Sequence, residues 1–297
     1  MTTPKNGLLL IAYTNFTINY GALAVLAAKL AKKHMNNIHV TLMTDERTYR
    51  EFLDNGPLNF RTAFDNIIVE NLDHETNIRL HHDTPWYQFN TQFSNKNKHT
   101  IFQKSPYQKT LMIDVDYLIG NDDLLKIFDT DYGLALFKNA ISARNHAPRM
   151  QEQKLNEHGI DMWWSTVVYW DKDSPEAEIF FNVWEHVKEN YNYYKFLYKF
   201  PGALYRTDFA ASIAIHLLNG QNGNVVVNQL PGKVMRYSDQ MDDIIKVHDS
   251  NDMVLLCPIP ATPWKCTVNR IKKENIHVMN KLSILRNYET LMGMAKQ

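Results

Sequence analysis

The sequence predicts an α/β fold, and three segments of its first half carry that prediction. GLLLIAY (7–13) is a continuous apolar run of the length expected for a buried parallel strand. YGALAVLAAKLAKKHM (20–35) is rich in Ala, Leu and Lys, and its lysines fall in the last turns, where they suit a helix C-terminus. IHVTLMTDE (38–46) is a second strand, which ends in Thr44-Asp45. This β-α-β order implies a parallel sheet with a right-handed crossover.

The later elements continue this pattern and become mixed toward the C-terminus. Strands are predicted at 66–70, 109–119, 132–138, 163–170, 224–227, 253–257 and 275–279. Helices are predicted at 122–128 (capped by Asn121 or Asp122), at 174–191 (Ser174 as N-cap, Pro175 in the first turn) and at 207–220 (closed by Gly220). Residues 71–105 are rich in His and Asn and are predicted to form a long loop with some helix.

The overall charge of the chain is balanced, but two of its stretches are basic. The chain has 297 residues with 32 basic and 32 acidic side chains, so no global field marks a nucleic-acid or membrane-surface protein. Two stretches are locally basic: 94–110 holds four Lys and no acid, and 265–297 holds seven Lys or Arg against two Glu. Such stretches suit a phosphate-bearing ligand or a nucleic acid, although a solvated face is the commoner cause.

The cysteines and the apolar segments bear on the compartment. Cys257 and Cys266 form neither a metal pattern nor a disulfide framework, so a reducing cytoplasm is expected, that of the host if the chain is viral. The N-terminal apolar stretch reads as a strand rather than a signal peptide. No segment approaches about 18 consecutive apolar residues, so no membrane span is expected.

Two carboxylates follow an apolar strand in LMIDVDYLIG (111–120). In open α/β sheets, ligands collect outside the carboxyl ends of the strands, where Asp114 and Asp116 would lie. Side chains at i and i+2 of a strand point to the same face, so both carboxylates could reach one cation. Mg²⁺ and Mn²⁺ prefer oxygen ligands and often share them with substrate phosphates. The pattern therefore predicts a divalent-metal site, against the simpler interpretation of an acidic turn at a strand end.

At this point the sequence resembles a family. SPYQKTLMIDVDYLIGNDDL (105–124) is similar to the Y-x-K-x-L-x-x-D-x-D segment of GT-A glycosyltransferases, especially those of family 8. Further similar segments follow the family's order along the chain and extend the resemblance from about residue 7 to 281. They are LLLIAYTN (8–15), TLMTDE (41–46), WWSTVVYW (163–170), YRTDFAASIAIHLLNG (205–220) and IHVMNK (276–281). The chain also resembles uncharacterised GT-A proteins of tailed phages.

The resemblance implies a single GT-A domain over residues 1–297. Its nucleotide-sugar-binding half, about 1–120, would be Rossmann-like with a mixed central sheet, and about 121–297 would form an irregular acceptor half with a basic C-terminal segment. The implied activity is a divalent-metal-dependent, retaining glycosyltransferase. It would use Mn²⁺ or Mg²⁺ and a nucleotide-sugar donor, expected to be a UDP-sugar, and a glycan or glycoconjugate would supply the hydroxyl acceptor.

The resemblance also implies roles for individual residues on the donor side. Metal ligands would be Asp114, Asp116 and His277, and Lys281 would neutralise the diphosphate. The nucleotide would be held by Ala12, Tyr13, Thr14 and Asp45, with Lys109 touching the donor. Simpler interpretations stay open: Tyr13 could be a core residue, His277 a half-buried strand histidine, and Lys109 and Lys281 solvated lysines.

On the acceptor side, Asp208 is the catalytic candidate near the reacting sugar carbon, where it would orient the acceptor, stabilise positive charge or act as a base. Its simpler interpretation is an acid in the first turn of a helix. Trp163 and Trp164 are adjacent on a strand and face opposite sides, so one is expected in the core and the other against an acceptor sugar or base.

The chain departs from the family pattern in two places. The usual H-x-x-G-x-x-K-P-W is reduced to His277, Asn280 and Lys281, and the common Asn-x-Gly of the acceptor strand is replaced by Ser165-Thr166-Val167, which suggests a different acceptor. One alternative is a phage DNA glycosyltransferase acting on 5-hydroxymethyl-pyrimidine bases. More distant alternatives are a phosphatase of the haloacid dehalogenase type, in which Leu118 occupies the motif's hydroxyl position, and a non-catalytic nucleotide-sugar-binding protein.

Overall fold

A seven-stranded mixed sheet forms the centre of the computed structural model. The structure describes residues 4–55, 60–70, 77–93, 97–145, 154–155, 160–199, 204–220, 226–259 and 261–295. In spatial order the strands are β11 (Asn228–Gln229), β8 (Leu134–Phe137), β10 (Trp164–Asp171), β6 (Lys109–Asp114), β1 (Asn6–Ala12), β2 (Val40–Asp45) and β3 (Asn66–Glu70). Strands β6, β1, β2 and β3 are parallel, whereas β10 runs antiparallel to β6 and β8. The predicted α/β fold with a mixed central sheet is confirmed.

The other strands described form three smaller sheets. The first contains β7 (Tyr117–Leu118), β16 (Ile276–Val278), β12 (Val234–Ser238) and β9 (Asn139–Ser142); the second contains β13 (Asp243–Asp249), β14 (Asp252–Ile259) and β15 (Thr262–Lys272); the third is the hairpin of β4 (Asn77–Asp83) and β5 (Tyr87–Phe93). The described helices are α1 (Tyr20–His34), α2 (Glu46–Asn55), α3 (Phe60–Ala63), α4 (Ile101–Lys104), α5 (Pro175–Glu189), α6 (Tyr191–Leu197), α7 (Thr207–Leu218), α8 (Lys281–Arg286) and α9 (Tyr288–Ala295), with 3₁₀ turns at Lys98–Thr100 and Asp123–Asp129. Within the described residues, no helix is both long and apolar enough to cross a membrane.

Local sequence signals explain where the long helices begin and end. The side chain of Asn19 accepts a hydrogen bond from the Ala22 N–H and caps α1. Ser174 caps α5 in the same way, with Pro175 at the first helical position, as predicted. Helix α7 is followed by Gly220 at φ 58°, a left-handed conformation that glycine adopts without steric cost.

Alternation along the buried strands divides the core between the two faces of the central sheet. Leu8 and Leu10 of β1 pack with the apolar face of α1, whereas Leu9 packs on the other side in the cluster that holds α5 and α7. Each such fully buried aliphatic side chain contributes roughly 1.5–3 kcal/mol to burial free energy. The sheet is therefore anchored on both faces, and its carboxyl edge has a fixed position.

Three expectations about local structure need correction. The described part of 71–105 contains the β4–β5 hairpin instead of a long loop, and sequence periodicity missed it because its side chains are largely polar. The helix that was expected in this segment is found at Ile101–Lys104. The strand predicted at 224–227 lies partly outside the described residues, and β11 is found instead at Asn228–Gln229. The second half is also less irregular than predicted, because the smaller sheets order it.

Candidate active site

A cleft lies at the carboxyl edge of the parallel strands, where β1 and β6 end side by side with Ile11 opposite Asp114. Its described lining residues come from the sheet edge, the β4–β5 hairpin, the start of α7 and the segment around β16. They are Ile11, Tyr13, Tyr20, Met43, Arg79, Leu80, Phe93, Asn97, Lys98, Asp114, Val115, Asp116, Trp164, Thr166, Arg206, Thr207, Asp208, Gln240, His277, Met279 and Lys281. A cleft at this edge is where α/β sheets bind ligands.

Three potential metal ligands meet in the cleft. One ligand atom each from Asp114, Asp116 and His277 lies within 4.8 Å of the others. The histidine arrives from far along the chain because β16 pairs with β7, which places His277 opposite Tyr117 and lets the Val278 N–H donate to the Asp116 carbonyl at 2.8 Å. Two carboxylates and an imidazole are ligands that Mn²⁺ accepts, and the carboxylates also suit Mg²⁺. The donor set therefore fits a divalent cation.

Close packing beside β7 fixes the register that brings His277 to the aspartates. A Cβ on Gly120 would lie 2.2 Å from the backbone oxygen of Glu274, a distance that no side chain tolerates. The Asn275 side chain also accepts hydrogen bonds from the backbone N–H groups of Gly120 and Asn121, at 2.8 and 3.1 Å. A larger residue at position 120 would push β16 away from β7.

Each aspartate of the cluster is paired with a lysine. Lys281 Nζ lies 2.7 Å from Asp116 Oδ2. It is the first residue of α8, which the side chain of Asn280 caps by accepting from the Ser283 N–H. Lys98 Nζ lies 2.6 Å from Asp114 Oδ1 and donates to the Ser165 carbonyl, also at 2.6 Å. Lys98 was not predicted as a site residue, because in the sequence it is marked only by its place in the basic stretch 94–110.

The two carboxylates differ in electrostatic state. Burial would raise the pKa of Asp116, but Lys281 and then His277 outweigh it and hold that pKa well below its usual range. About a third of the Asp114 side chain is open to the cleft. Partial removal of its carboxylate from water raises the pKa of Asp114; the Lys98 charge opposes this shift, and the Asp116 charge adds to it. Two neighbouring carboxylates repel each other, and a bound cation would relieve that repulsion.

Asp208 lies in the first turn of α7 and faces the same cleft. Its Oδ1 accepts hydrogen bonds from the Ser165 N–H at 3.0 Å and the Ser165 hydroxyl at 2.8 Å, and its Oδ2 lies 3.4 Å from Arg206 Nη2. Burial would raise the pKa of Asp208, but Arg206, Lys98 and the bonds from Ser165 lower it. The carboxylate is therefore ionised and held in one orientation. Ser165 joins it to Lys98, and so to Asp114.

Trp163 directly precedes β10 and Trp164 begins it; both are buried, and they belong to the core clusters on opposite faces of the central sheet, as predicted. Trp164 lines the cleft and stacks on Tyr237 with ring centroids 5.7 Å apart. Trp163 belongs to the core cluster on the other face of the sheet and is not among the cleft-lining residues described. An acceptor role therefore remains a prediction for Trp164 and is corrected for Trp163.

The residues predicted to hold the nucleotide divide in a similar way. Tyr13 lines the cleft. Thr14 is buried, with its N–H donated to the Thr48 hydroxyl and its own hydroxyl accepting from the Gly21 N–H. Asp45 is buried and accepts from the Thr48 N–H at the start of α2, a helix-capping contact.

Ala12, Thr14 and Asp45 are not among the described lining residues. They lie at the correct edge of the sheet, since all three stand at or just after the ends of β1 and β2. The structure therefore brings only Tyr13 of this group into the cleft, and a contact of the other three with a nucleotide stays a prediction.

Lys109 requires a correction. It begins the six-residue strand β6, whereas Asp114 ends it, so the two residues are five steps of the strand, or roughly 17 Å, apart. Its Nζ donates to the carbonyls of Phe128 and Thr130 instead. A donor contact is therefore excluded in this conformation.

Several cations of the two basic stretches form ion pairs within the protein, whereas Lys265, Lys272 and Lys273 are exposed. In 94–110, Lys98 is buried in its ion pair with Asp114, and Lys104 pairs with Glu70 at 2.8 Å. In 265–297, Arg270 pairs with Asp252, Lys281 with Asp116 and Arg286 with both Asp83 and Asp243.

Comparisons with known proteins found no matching family model and no matching curated protein. Among solved structures, the chain is similar to the galactosyltransferase LgtC in complex with donor and acceptor sugar analogs (17% identity, 78% of this chain and 73% of that chain, TM-score 0.43). It is also similar to the glycosyltransferase GlyE of Streptococcus pneumoniae TIGR4 (12%, 76% and 45%, TM-score 0.41) and to apo mouse xyloside xylosyltransferase 1 (12%, 76% and 85%, TM-score 0.41).

All three are named as sugar transferases. This chain covers less than half of the length of GlyE. At TM-scores below 0.5 these likenesses do not decide a function, which has to be argued from the cleft itself.

Proposed function

We propose that this protein is a divalent-metal-dependent glycosyltransferase of the GT-A type, which moves a sugar from a nucleotide-sugar to a hydroxyl acceptor. The convergence of Asp114, Asp116 and His277 within 4.8 Å, at the carboxyl edge of a parallel sheet, carries this proposal. The resemblance of residues 105–124, and of the further similar segments along the chain, to GT-A glycosyltransferases supports this proposal. Mn²⁺ or Mg²⁺ would be held by these three residues and, when bound, would stabilise the charge that develops on the departing diphosphate.

Two lysines would complete the diphosphate site. Lys98 and Lys281 each hold one aspartate of the cluster, at 2.6 and 2.7 Å. When the aspartates bind a cation, their lysines become available to a second negative charge at the same place. Donors that are already positioned around a developing charge stabilise a transition state at little reorganisation cost. The lysines would therefore bind the diphosphate before and after the sugar leaves.

Asp208 would act on the sugar side of the cleft. Its low pKa and its two hydrogen bonds from Ser165 keep it ionised and fixed, as needed to orient an acceptor hydroxyl or to stabilise positive charge at the reacting carbon. We infer retention of configuration from the family 8 resemblance. Proton NMR of the first product formed would test the stereochemistry.

A thermal-shift screen of nucleoside diphosphates, with and without Mn²⁺, tests the donor half of the proposal. A ligand that binds the native state raises its apparent stability by mass action. We expect a shift from UDP that requires Mn²⁺ or Mg²⁺, with slow metal-dependent hydrolysis of the matching UDP-sugar. If no nucleotide shifts the transition with either metal and none of a panel of nucleotide-sugars is consumed, the proposal fails.

Two substitutions separate donor binding from chemistry. Asp114→Asn is expected to remove the metal-dependent part of the thermal shift, because it removes a charged ligand. Asp208→Asn is expected to keep that shift and to lower turnover by at least a hundredfold, within the range of a lost catalytic group. If both variants bind and turn over like the parent protein, the cleft is not the active site.

The alternatives remain with less support. A glycan or glycoconjugate acceptor follows from the resemblance. The alternative of a modified DNA base keeps only part of its support, because the described lysines of 94–110 are engaged within the protein, whereas Lys265, Lys272 and Lys273 of the second basic stretch are exposed. DNA binding that weakens steeply with salt would restore that alternative.

A further inference from the structure

Two arginines line the cleft on the side of Asp208, and neither takes part in the metal and diphosphate site. Arg79 comes from β4 of the hairpin, and Arg206 directly precedes α7. A terminal nitrogen of Arg79 donates to the backbone carbonyl of Tyr205, so the Arg79 guanidinium lies beside the backbone of the residue that precedes Arg206. The Arg206 guanidinium lies over the Phe209 ring, 4.6 Å from its centroid, and beside Asp208. A hairpin and a helix start that are 126 residues apart in sequence therefore contribute one arginine each to the same side of the cleft.

This pair has less negative charge around it than the lysines have. Within the described part of the chain, the ion pair that the arginines form is that of Arg206 with Asp208, at 3.4 Å, and Asp208 also receives two hydrogen bonds from Ser165. The Arg206 side chain is 45% exposed, so guanidinium donors remain available to the cleft. Burial lowers the pKa of Arg79, and the nearby positive charge of Arg206 lowers it further, although arginine stays protonated.

The charge balance of the whole cleft also indicates a site for an anion. Among the described lining residues, four lysines and arginines face three carboxylates. A nucleotide-sugar carries two negative charges on its diphosphate, and a divalent cation carries two positive ones, so the donor complex leaves the cleft positive. The excess lies at the arginine pair, beside the positive end of the twelve-residue helix α7.

We propose that the acceptor carries an anionic group, a phosphate or a carboxylate, which the guanidinium groups of Arg79 and Arg206 bind while Asp208 faces the acceptor hydroxyl. Guanidinium groups form paired hydrogen bonds with both kinds of anion, and such charge-assisted bonds are the strongest available to a binding site. The inference rests on the proposed transferase function. It adds to that function a substrate class, which neither the sequence motifs nor the metal site specifies.

Three sugars of the same ring and different charge test the proposal: glucose, glucuronate and glucose 6-phosphate. Each is titrated by calorimetry into the protein saturated with Mn²⁺ and the nucleoside diphosphate found in the screen, so that the diphosphate site is already filled. One of the two anionic sugars is expected to bind at least tenfold more tightly than glucose. If glucose 6-phosphate binds more tightly, the site prefers a phosphate; if glucuronate does, it prefers a carboxylate.

Variants that remove the charge of one arginine test whether Arg79 and Arg206 cause the preference for an anionic sugar. Arg206→Gln and Arg79→Gln are expected to reduce the anion-to-glucose affinity ratio toward one, and Arg206→Lys to keep part of it. Arg50→Gln is the matched control: Arg50 pairs with Glu46 on an exposed helix face, so this variant changes net charge equally and should keep the full ratio.

Several results would overturn the inference. Equal binding of the three sugars to the parent protein would do so. So would an equal loss of affinity for all three sugars in both glutamine variants, because that would show that the arginines only maintain the shape of the cleft. The protein could also prefer a nucleotide donor whose sugar is a uronic acid, and Arg206→Gln could remove that preference. That result would show that the arginines bind an anionic donor sugar and not the acceptor.

The same titrations on the nucleotide-free protein separate this inference from the proposed function. If nucleotides bind but no sugar anion is preferred, the inference alone fails. If no nucleotide binds and Arg206→Gln still abolishes a preference for one sugar anion, the transferase proposal fails and the anion site stands.

Discussion

Breaking the buried ion pair of Asp116 and Lys281 is the most direct test of the cleft's electrostatics in the absence of metal. The two side chains are 5% and 12% exposed, and their charged atoms are 2.7 Å apart. Asp116→Asn keeps the shape of the side chain and removes its charge, which leaves the Lys281 ammonium group in a largely dry site. Lys281→Met does the reverse and leaves the carboxylate facing His277 alone.

The burial of the pair sets the expected magnitude. Removing one partner of a buried pair costs roughly 3–5 kcal/mol, because the remaining charge loses both water and its counter-ion. His277 and the opening of the cleft provide some compensation for Asp116, so we expect about 3 kcal/mol for each single variant in EDTA. For a chain of this length this corresponds to a fall in Tm of roughly 6 °C. The double variant buries no unpaired charge, so it should cost about 2–3 kcal/mol less than the two single losses combined.

Urea unfolding of the four proteins, monitored by circular dichroism, measures this coupling energy. Asp123→Asn is the control, since Asp123 pairs with Lys126 at a similar distance of 2.6 Å but on the surface, and we expect no measurable loss there. A coupling energy below about 0.5 kcal/mol for Asp116 and Lys281 would refute the reasoning, because distant independent sites add to within that limit.

Two further predictions concern other parts of the fold. Burial raises the pKa of Asp242 to about 6, and because the unfolded chain then binds fewer protons than the native state, stability should fall as pH rises from about 4 to 6. Asp242→Asn should abolish that fall and raise stability at pH 7 by at most about 3 kcal/mol, and parallel pH dependence of the two proteins in urea unfolding would contradict this. Gly120→Ala should cost roughly 1–3 kcal/mol, because its Cβ meets a backbone oxygen at 2.2 Å, and it should weaken Mn²⁺-dependent nucleotide binding. Gly293→Ala in α9, which meets nothing within 4 Å, should leave binding unchanged and stability unchanged or slightly higher; equal effects of the two variants would exclude the clash as the cause.

Short-range patterns predicted much of this structure. The strand at 66–70 was predicted with its observed bounds, and β1, α1 and β2 were predicted to within two residues, whereas α2 and α3 were not predicted. Ser174 and Gly220 mark the helix ends they were expected to mark. Such signals are readable because capping, turn geometry and apolar alternation depend only on residues within a few positions of each other.

The misses have a common physical cause. The β4–β5 hairpin escaped prediction because polar side chains occupy much of both strands, which leaves little apolar periodicity, and its Arg79, Leu80 and Phe93 line a cleft made with distant elements. Lys98 looked like an ordinary member of a basic stretch, because a lysine becomes an interior ion-pair partner only through neighbours that lie elsewhere in the sequence. Lys109 belongs to the same motif as Asp114, yet the rise of the strand carries it to the opposite edge of the sheet.

The sequence by itself determined that an apolar strand ends in two aspartates at the carboxyl edge of a parallel sheet. It could do so because strand length, side-chain alternation and sheet edge are local properties. Only the tertiary structure decided which charges meet those aspartates: a lysine 16 residues before Asp114 and, on Asp116, a histidine and a lysine from near the C-terminus. Electrostatic energy depends on distance in space and on exclusion of water, and both depend on the order in which distant strands pair.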